Sequence, residues 1–162
     1  MTYAALFEKA ASIAATLVQH EVASEPPLTA VFAYRSVTAF AGILGTLLRG
    51  HGYVPLNCKF PPDRTKKMLR SSGCRALVVD SESEKQLDQI LEGLDDAILV
   101  ILPEREAAVD LASRWPQHRF IGAPALAPGG PANKIGNQPA RTTRKRRRQA
   151  CGCGRSAVPG SR

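Results

Sequence analysis

GYVPLNCKFPPDR, residues 52–64, places three prolines, one glycine and a short apolar run within thirteen positions. It lies between two helix-like stretches, GILGTLLRG (42–50) and TKKMLRSSG (65–73). Pro55 forces Val54 toward extended geometry and withdraws a backbone donor, so YVPL reads as a short extended piece. Pro61 and Pro62 suit the first turn of the following helix, where the missing N–H costs nothing. Gly50 and Gly52 close the helix before it, and Gly73 closes the helix after it. The segment is a stiff connection from helix to strand to helix, and its prolines reduce the freedom of the unfolded chain.

The same alternation continues in both directions. Thr2 caps an amphipathic helix running to His20, with Leu6, Ala10, Ile13 and Leu17 at helical spacing. Beyond Pro26-Pro27, LTAVFAY (28–34) is rich in strand formers. Ser36 caps a second helix, on which Val37, Phe40, Ile43, Leu44, Leu47 and Leu48 make a wide apolar face. RALVVD (75–80) and AILVIL (97–102) read as buried strands, with a helix over 83–94 between them. A helix opening at Pro103 and closing at Pro116, then a strand at 119–123, complete the pattern. Strands this continuously apolar are covered on both faces. The expected fold is α/β, a partial Rossmann-like parallel sheet flanked by helices.

Charge divides the 162 residues unevenly. Residues 1–133 carry 13 Lys/Arg and all 14 Asp/Glu, a net of −1; residues 134–162 carry nine Lys/Arg and no acid, a net of +9. The tail has no aromatic residue and no hydrophobic periodicity, so it is expected to be a disordered basic segment. The expected organisation is a folded part at 1–123, a Pro/Gly/Ala linker at 124–133 and the basic tail at 134–162. Four scattered cysteines, Cys58, Cys74, Cys151 and Cys153, do not form a disulfide framework and point to reduced thiols in the cytoplasm. No run reaches the roughly 18–20 apolar residues of a membrane span.

The stretch 47–73 resembles an early motif of the adenylate-forming ligases, the superfamily of acyl-CoA synthetases, nonribosomal peptide synthetase adenylation domains and luciferases. Leu47, Gly50, Tyr53, Val54, Pro55, Leu56, Pro61, Arg64, Met68, Leu69, Ser72 and Gly73 stand in register with the family pattern. Phe60 replaces its tyrosine and Asp63 its glutamate; Asn57 and Cys58 replace an Asp-Pro pair. MTYAALFEKAASIAATL is similar to a second motif of the family, with Ala5 in place of glutamate. The resemblance covers about residues 1–123 and implies the opening part of a longer enzyme. It also implies activation of a carboxylic acid by ATP, with Mg²⁺, to an acyl-adenylate. It makes Leu47, Gly50, Tyr53, Val54, Pro55, Leu56, Pro61, Arg64, Ser72 and Gly73 scaffold residues, with no catalytic, cofactor or metal residue in this chain.

Phosphates need a Ser/Thr/Gly-rich loop whose N–H groups converge on anionic oxygen. AYRSV (33–37) has no glycine, and GGPANKIGNQ (129–138) lacks the spacing. The chain alone is therefore expected to be inactive, with the remaining part of the ligase as its partner. The tail composition matches GC-rich DNA read out of frame, which makes a frameshifted fragment the leading expectation. The alternative is a small α/β protein binding nucleic acid or another polyanion through Arg144, Lys145, Arg146, Arg147 and Arg148. Counterion release would drive such binding, without aromatics to stack on bases. Cys151 and Cys153 lack two further ligands for zinc. His51 reads as a solvated or capping residue at a helix end rather than as a base.

Overall fold

The computed structural model describes residues 2–20 and 27–129. Helix α1 (Tyr3–His20) begins where the Ala5 amide donates to Thr2 Oγ1 at 3.3 Å. Strand β1 (Leu28–Phe32), helix α2 (Val37–Leu48), strand β2 (Gly52–Leu56), helix α3 (Pro62–Ser72) and strand β3 (Ala76–Val79) come next. Two short helices, α4 (Ser81–Glu84) and α5 (Leu87–Leu91), lead to β4 (Leu99–Leu102); α6 (Val109–Arg114) leads to β5 (Arg119–Gly122). The five strands form one parallel sheet in the order β2-β1-β3-β4-β5. The chain thus steps outward from β1 to β2, then crosses back over β1 to lay down β3. Pro55 is tolerated in β2 because that strand is the sheet edge.

Alternation along the strands builds two cores. On one face Ala30, Phe32, Leu77, Val79, Val100 and Leu102 pack with Leu69 of α3, Leu87, Ile90 and Leu91 of α5, and Leu111 of α6. On the other, Val78, Leu99, Ile101 and Ile121 meet Ile13 and Leu17 of α1 and Ala41 of α2. Both faces are covered, which is why β3 and β4 are apolar at every position. The expected parallel α/β sheet is the one observed. The basic tail lies outside the described residues. Residues 126–129 run along α1, where the Ala127 amide donates to Thr16 Oγ1 at 3.0 Å and Ser12 Oγ donates to the Ala127 carbonyl at 2.7 Å.

Two helix assignments need correction. The single helix expected over 83–94 is two short ones, and the first starts earlier, at Ser81, because Asp80 caps it. Between them, Gln86 turns its side-chain amide to the Cys58 carbonyl at 2.7 Å, a tertiary bond that anchors the Pro-rich connection. No helix forms at Pro103 either; residues 103–108 turn instead. The Arg105 amide donates back to Leu102, and its carbonyl accepts from Ala123 at 2.7 Å. Its guanidinium pairs with Glu84 and Asp110. These long-range bonds outweigh a helix propensity of a few tenths of a kcal/mol per residue.

Helix α2 is packed the opposite way round from most surface helices. Its buried face is small: Thr38, Ala41, Gly42, Gly45 and Thr46. Of its large side chains, Val37, Phe40, Leu44 and Leu47 are exposed, and Ile43 and Leu48 are half-buried. The small face permits close approach. A Cβ on Gly42 would stand 3.2–3.3 Å from methyls of Val78 and Val31, and one on Gly45 would stand 2.7 Å from the Ala10 carbonyl oxygen. Alanine at 45 would gain about 1 kcal/mol of helix propensity. It would also overlap α1 backbone, a strain of about 1–3 kcal/mol or more. Gly45→Ala is accordingly expected to lower the urea midpoint with an unchanged m-value, and by more than Gly42→Ala does, since valine methyls yield more easily than a helix backbone. A Gly45→Ala protein as stable as the wild type would contradict this packing.

Candidate functional site

In an open parallel sheet the place to look for a site is outside the carboxyl ends of the strands, where the strand order reverses. Here that point lies between β1 and β3. Arg35, just past β1, has φ 49° and is the one non-glycine residue with positive φ among the described residues. Its conformation turns the chain sharply into Ser36, whose Oγ accepts the Ala39 amide at 3.1 Å and caps α2. Ser36 is the cap expected from the sequence.

Two carboxylates close this crevice. Asp80, at the end of β3, is only 1% exposed. Oδ2 accepts the Tyr34 amide at 2.9 Å and Oδ1 accepts the Ser83 amide at 2.8 Å. One side chain therefore caps α4 and pins the loop after β1 to β3. Burial pushes the Asp80 carboxyl up, but the Ser36 hydroxyl and the Tyr34 and Ser83 amides outweigh it and hold the group below its ordinary 3.8. Glu104, beyond β4, accepts from Thr38 Oγ1 and from the Ser81 amide, the latter at 3.1 Å. Desolvation and the neighbouring Asp80 raise its pKa, and the Thr38 and Ser81 bonds hold it below 4.5. Both groups are anions at neutral pH with donors supplied by this chain. A phosphate entering here would meet two fixed negative charges.

The motif residues occupy a different part of the molecule. Leu47 lies on the outward face of α2, and Gly50 ends that helix with φ 83°. Tyr53, Val54, Pro55 and Leu56 form the edge strand β2; Leu56 is buried and Tyr53 is 41% exposed. Pro61 opens α3, and the Arg64 guanidinium lies 4.2 Å above the Phe60 ring. Ser72 Oγ donates to the Leu69 carbonyl at 2.9 Å, and Gly73 ends α3 in the left-handed conformation. These residues follow one continuous α2–β2–α3 path along the chain. Asp80 and Glu104 are absent from the candidates that the sequence suggests. Asp80 carried a signal, an aspartate at a strand end followed by Ser-x-Ser, which is a cap pattern; Glu104 carried none.

Other chemistry-bearing residues are packed away. His51 Nδ1, on a half-buried ring, lies 3.3 Å from Thr29 Oγ1. His118 is buried beside the rings of Trp115 and Phe120, and desolvation lowers its pKa below 6.5. Cys58 and Cys74 are buried free thiols, and burial raises the Cys74 pKa. No group of three metal-ligating side chains occurs among the described residues. Arg144, Lys145, Arg146, Arg147, Arg148, Cys151 and Cys153 lie outside them. Among the described residues no helix is long and apolar enough to cross a membrane.

The Asp80 clamp has a pH signature. A carboxyl whose folded pKa lies below its unfolded value contributes stability that is full above about pH 4 and is lost as pH falls through the folded pKa. Asp80→Ala should cost about 1.5–3 kcal/mol at pH 7, since it leaves buried amides without an acceptor. The gap from wild type should close on acidification below pH 4. Urea unfolding at pH 7 and pH 3 checks both, and a gap that does not change with pH would refute the clamp.

Residues 1–137 match the family described as AMP-binding enzyme. Bacitracin synthase 2 of Bacillus licheniformis is 33% identical over 88 residues, 54% of this chain and 3% of that protein. Among solved structures, IdnL7 is 28% identical with a TM-score of 0.62, over 87% of this chain and 25% of that one. The adenylation domain AlmE of Vibrio cholerae, crystallised with glycyl-adenosine-5'-phosphate, is 20% identical with a TM-score of 0.70, over 83% and 24%. This likeness is one of fold. The chain spans about a quarter of those two structures and a few per cent of the synthase. With a match covering more than four-fifths of its length, the chain belongs to the AMP-binding enzyme family.

Proposed function

We propose that this chain is the opening lobe of an enzyme that activates a carboxylic acid with ATP as its adenylate, and that it supplies framework rather than reacting groups. The observation that carries the reading is the crevice between β1 and β3. In many parallel α/β sheets this is where phosphate binds; here Asp80 and Glu104 fill it, each held by the chain's own amides and hydroxyls. The geometry is suited to holding β1, β3 and β4 in place and unsuited to holding a triphosphate. Adenylate formation needs donors aimed at phosphate oxygens and a cation to offset developing charge. We assign ATP and Mg²⁺ to the intact enzyme, outside this lobe.

The scaffold role falls to Leu47, Gly50, Tyr53, Val54, Pro55, Leu56, Pro61, Arg64, Ser72 and Gly73. The glycyl-adenylate in AlmE supports a small carboxylic or amino acid as the substrate class of the complete enzyme. The two buried free thiols support a reducing, cytoplasmic setting. ATP–pyrophosphate exchange tests the assignment. The purified 162-residue protein, given Mg·ATP and a panel of amino and carboxylic acids, is expected to exchange no label above a protein-free blank. Sustained, acid-dependent exchange by this chain alone would overturn the framework reading.

A further inference from the structure

We propose that a recess at the amino ends of β3, β4 and β5 binds a small organic carboxylate, an acid with a short hydrocarbon body. The recess has a volume of about 290 Å³ and lies at the opposite end of the sheet from Asp80 and Glu104. His20 from the last turn of α1, Arg75 just before β3 and Arg119 at the start of β5 form part of its wall. No Asp or Glu lines it among the described residues. Three bases from distant parts of the sequence thus meet without an acid between them, in a stretch (1–133) whose net charge is −1.

The three bases are not equally engaged. Arg75 pairs at 2.8 Å with Asp96, which does not line the recess. Arg119 has no ion pair among the described residues. Burial, and then the Arg119 charge, hold the His20 imidazole below its ordinary 6.5. Bases set against each other with no counter-charge favour an anion between them. His118 also lines the recess; it is 5% exposed, and neither ring nitrogen has a hydrogen-bond partner among the described residues. In the neutral ring one of those nitrogens carries a proton, so the wall holds a donor with no acceptor. Ile98 and Leu99, both buried, supply an apolar side. The Leu99 amide donates to the Arg75 carbonyl at 2.8 Å and the Arg119 amide to the Ile98 carbonyl at 3.0 Å, which fixes the strand starts that carry both guanidinium groups. A guanidinium offers two parallel donors to a carboxylate. Ligand recesses begin at about 300 Å³, so this one suits an acid of only a few carbons. Inorganic phosphate would use the guanidinium and leave the apolar side bare.

Titration of the isotopically labelled 162-residue protein with sodium butyrate, followed at the Leu99 and Arg119 amides, tests the site. Saturable shifts are expected, with inorganic phosphate and 1-butanol each binding at least fivefold more weakly. Arg119→Gln should weaken butyrate at least fivefold, whereas Asp96→Asn, which releases Arg75 from its ion pair, should tighten it. Arg119 and Asp96 are exposed, so both variants should unfold near the wild-type urea midpoint. Lys59→Gln, the same loss of charge beyond the carboxyl end of β2, should leave the affinity unchanged. The proposal is overturned by the absence of saturable shifts, by phosphate or butanol binding as tightly as butyrate, or by an affinity that Arg119→Gln leaves unchanged or Asp96→Asn lowers. Butyrate binding that appears only in the double variant Glu21→Gln/Glu25→Gln also overturns it, because the acids that follow His20 in the sequence would then be the occupant.

Discussion

Thr38, Ala41, Gly42 and Thr46 let the backbone of α2 lie directly against β1 and β3, and Gly45 brings it against the backbone of α1. That close approach decides how the rest of this face is built. With no large side chain available inward, the core here is made by Val78, Leu99, Ile101 and Ile121 meeting Ile13 and Leu17 of α1. Val37, Phe40, Leu44 and Leu47 then point outward and leave an exposed apolar stripe, with Ile43 and Leu48 half-buried beside it. Packing inside and exposure outside are consequences of one arrangement of glycines and small residues.

The carboxyl ends of the strands complete the arrangement. Asp80 and Glu104 each join segments far apart in sequence: Tyr34 to Ser83 through the first, Thr38 to Ser81 through the second. Loops after β1, β3 and β4 are thereby tied together without any ligand. Anions so placed oppose phosphate and stabilise the sheet, and this separates the lobe from parallel sheets that bind nucleotides at the same point. The framework role proposed for this chain rests on these two anions and the bonds that hold them.

Much of the fold was legible from the sequence. Continuous apolar strands between capped helices specified a parallel sheet, and Ser36, Pro61-Pro62 and Gly73 marked helix ends that the structure confirms. What escaped was settled by distant contacts. The breaks near Gln86 and Arg105 depend on Cys58, Glu84 and Ala123, which periodicity along one helix cannot register. The orientation of α2 escaped for a related reason. Its apolar residues cover nearly the whole circumference, so hydrophobicity alone did not say which side faces the sheet; the close approach at Gly42 and Gly45 emerges only in three dimensions. Of the crevice, Asp80 left a capping pattern at a strand end. Glu104 follows a proline in what looked like a helix start, and only the three-dimensional structure brings it to Thr38.

The claim that this lobe is framework is tested most directly by titrating the isotopically labelled protein with Mg·ATP and following the amide resonances of Tyr34, Ser81 and Ser83. Because Asp80 and Glu104 already occupy those amides, the three resonances should stay in place up to millimolar nucleotide. Saturable shifts at these amides, lost on further addition of inorganic pyrophosphate, would place phosphate in the crevice and contradict the framework role.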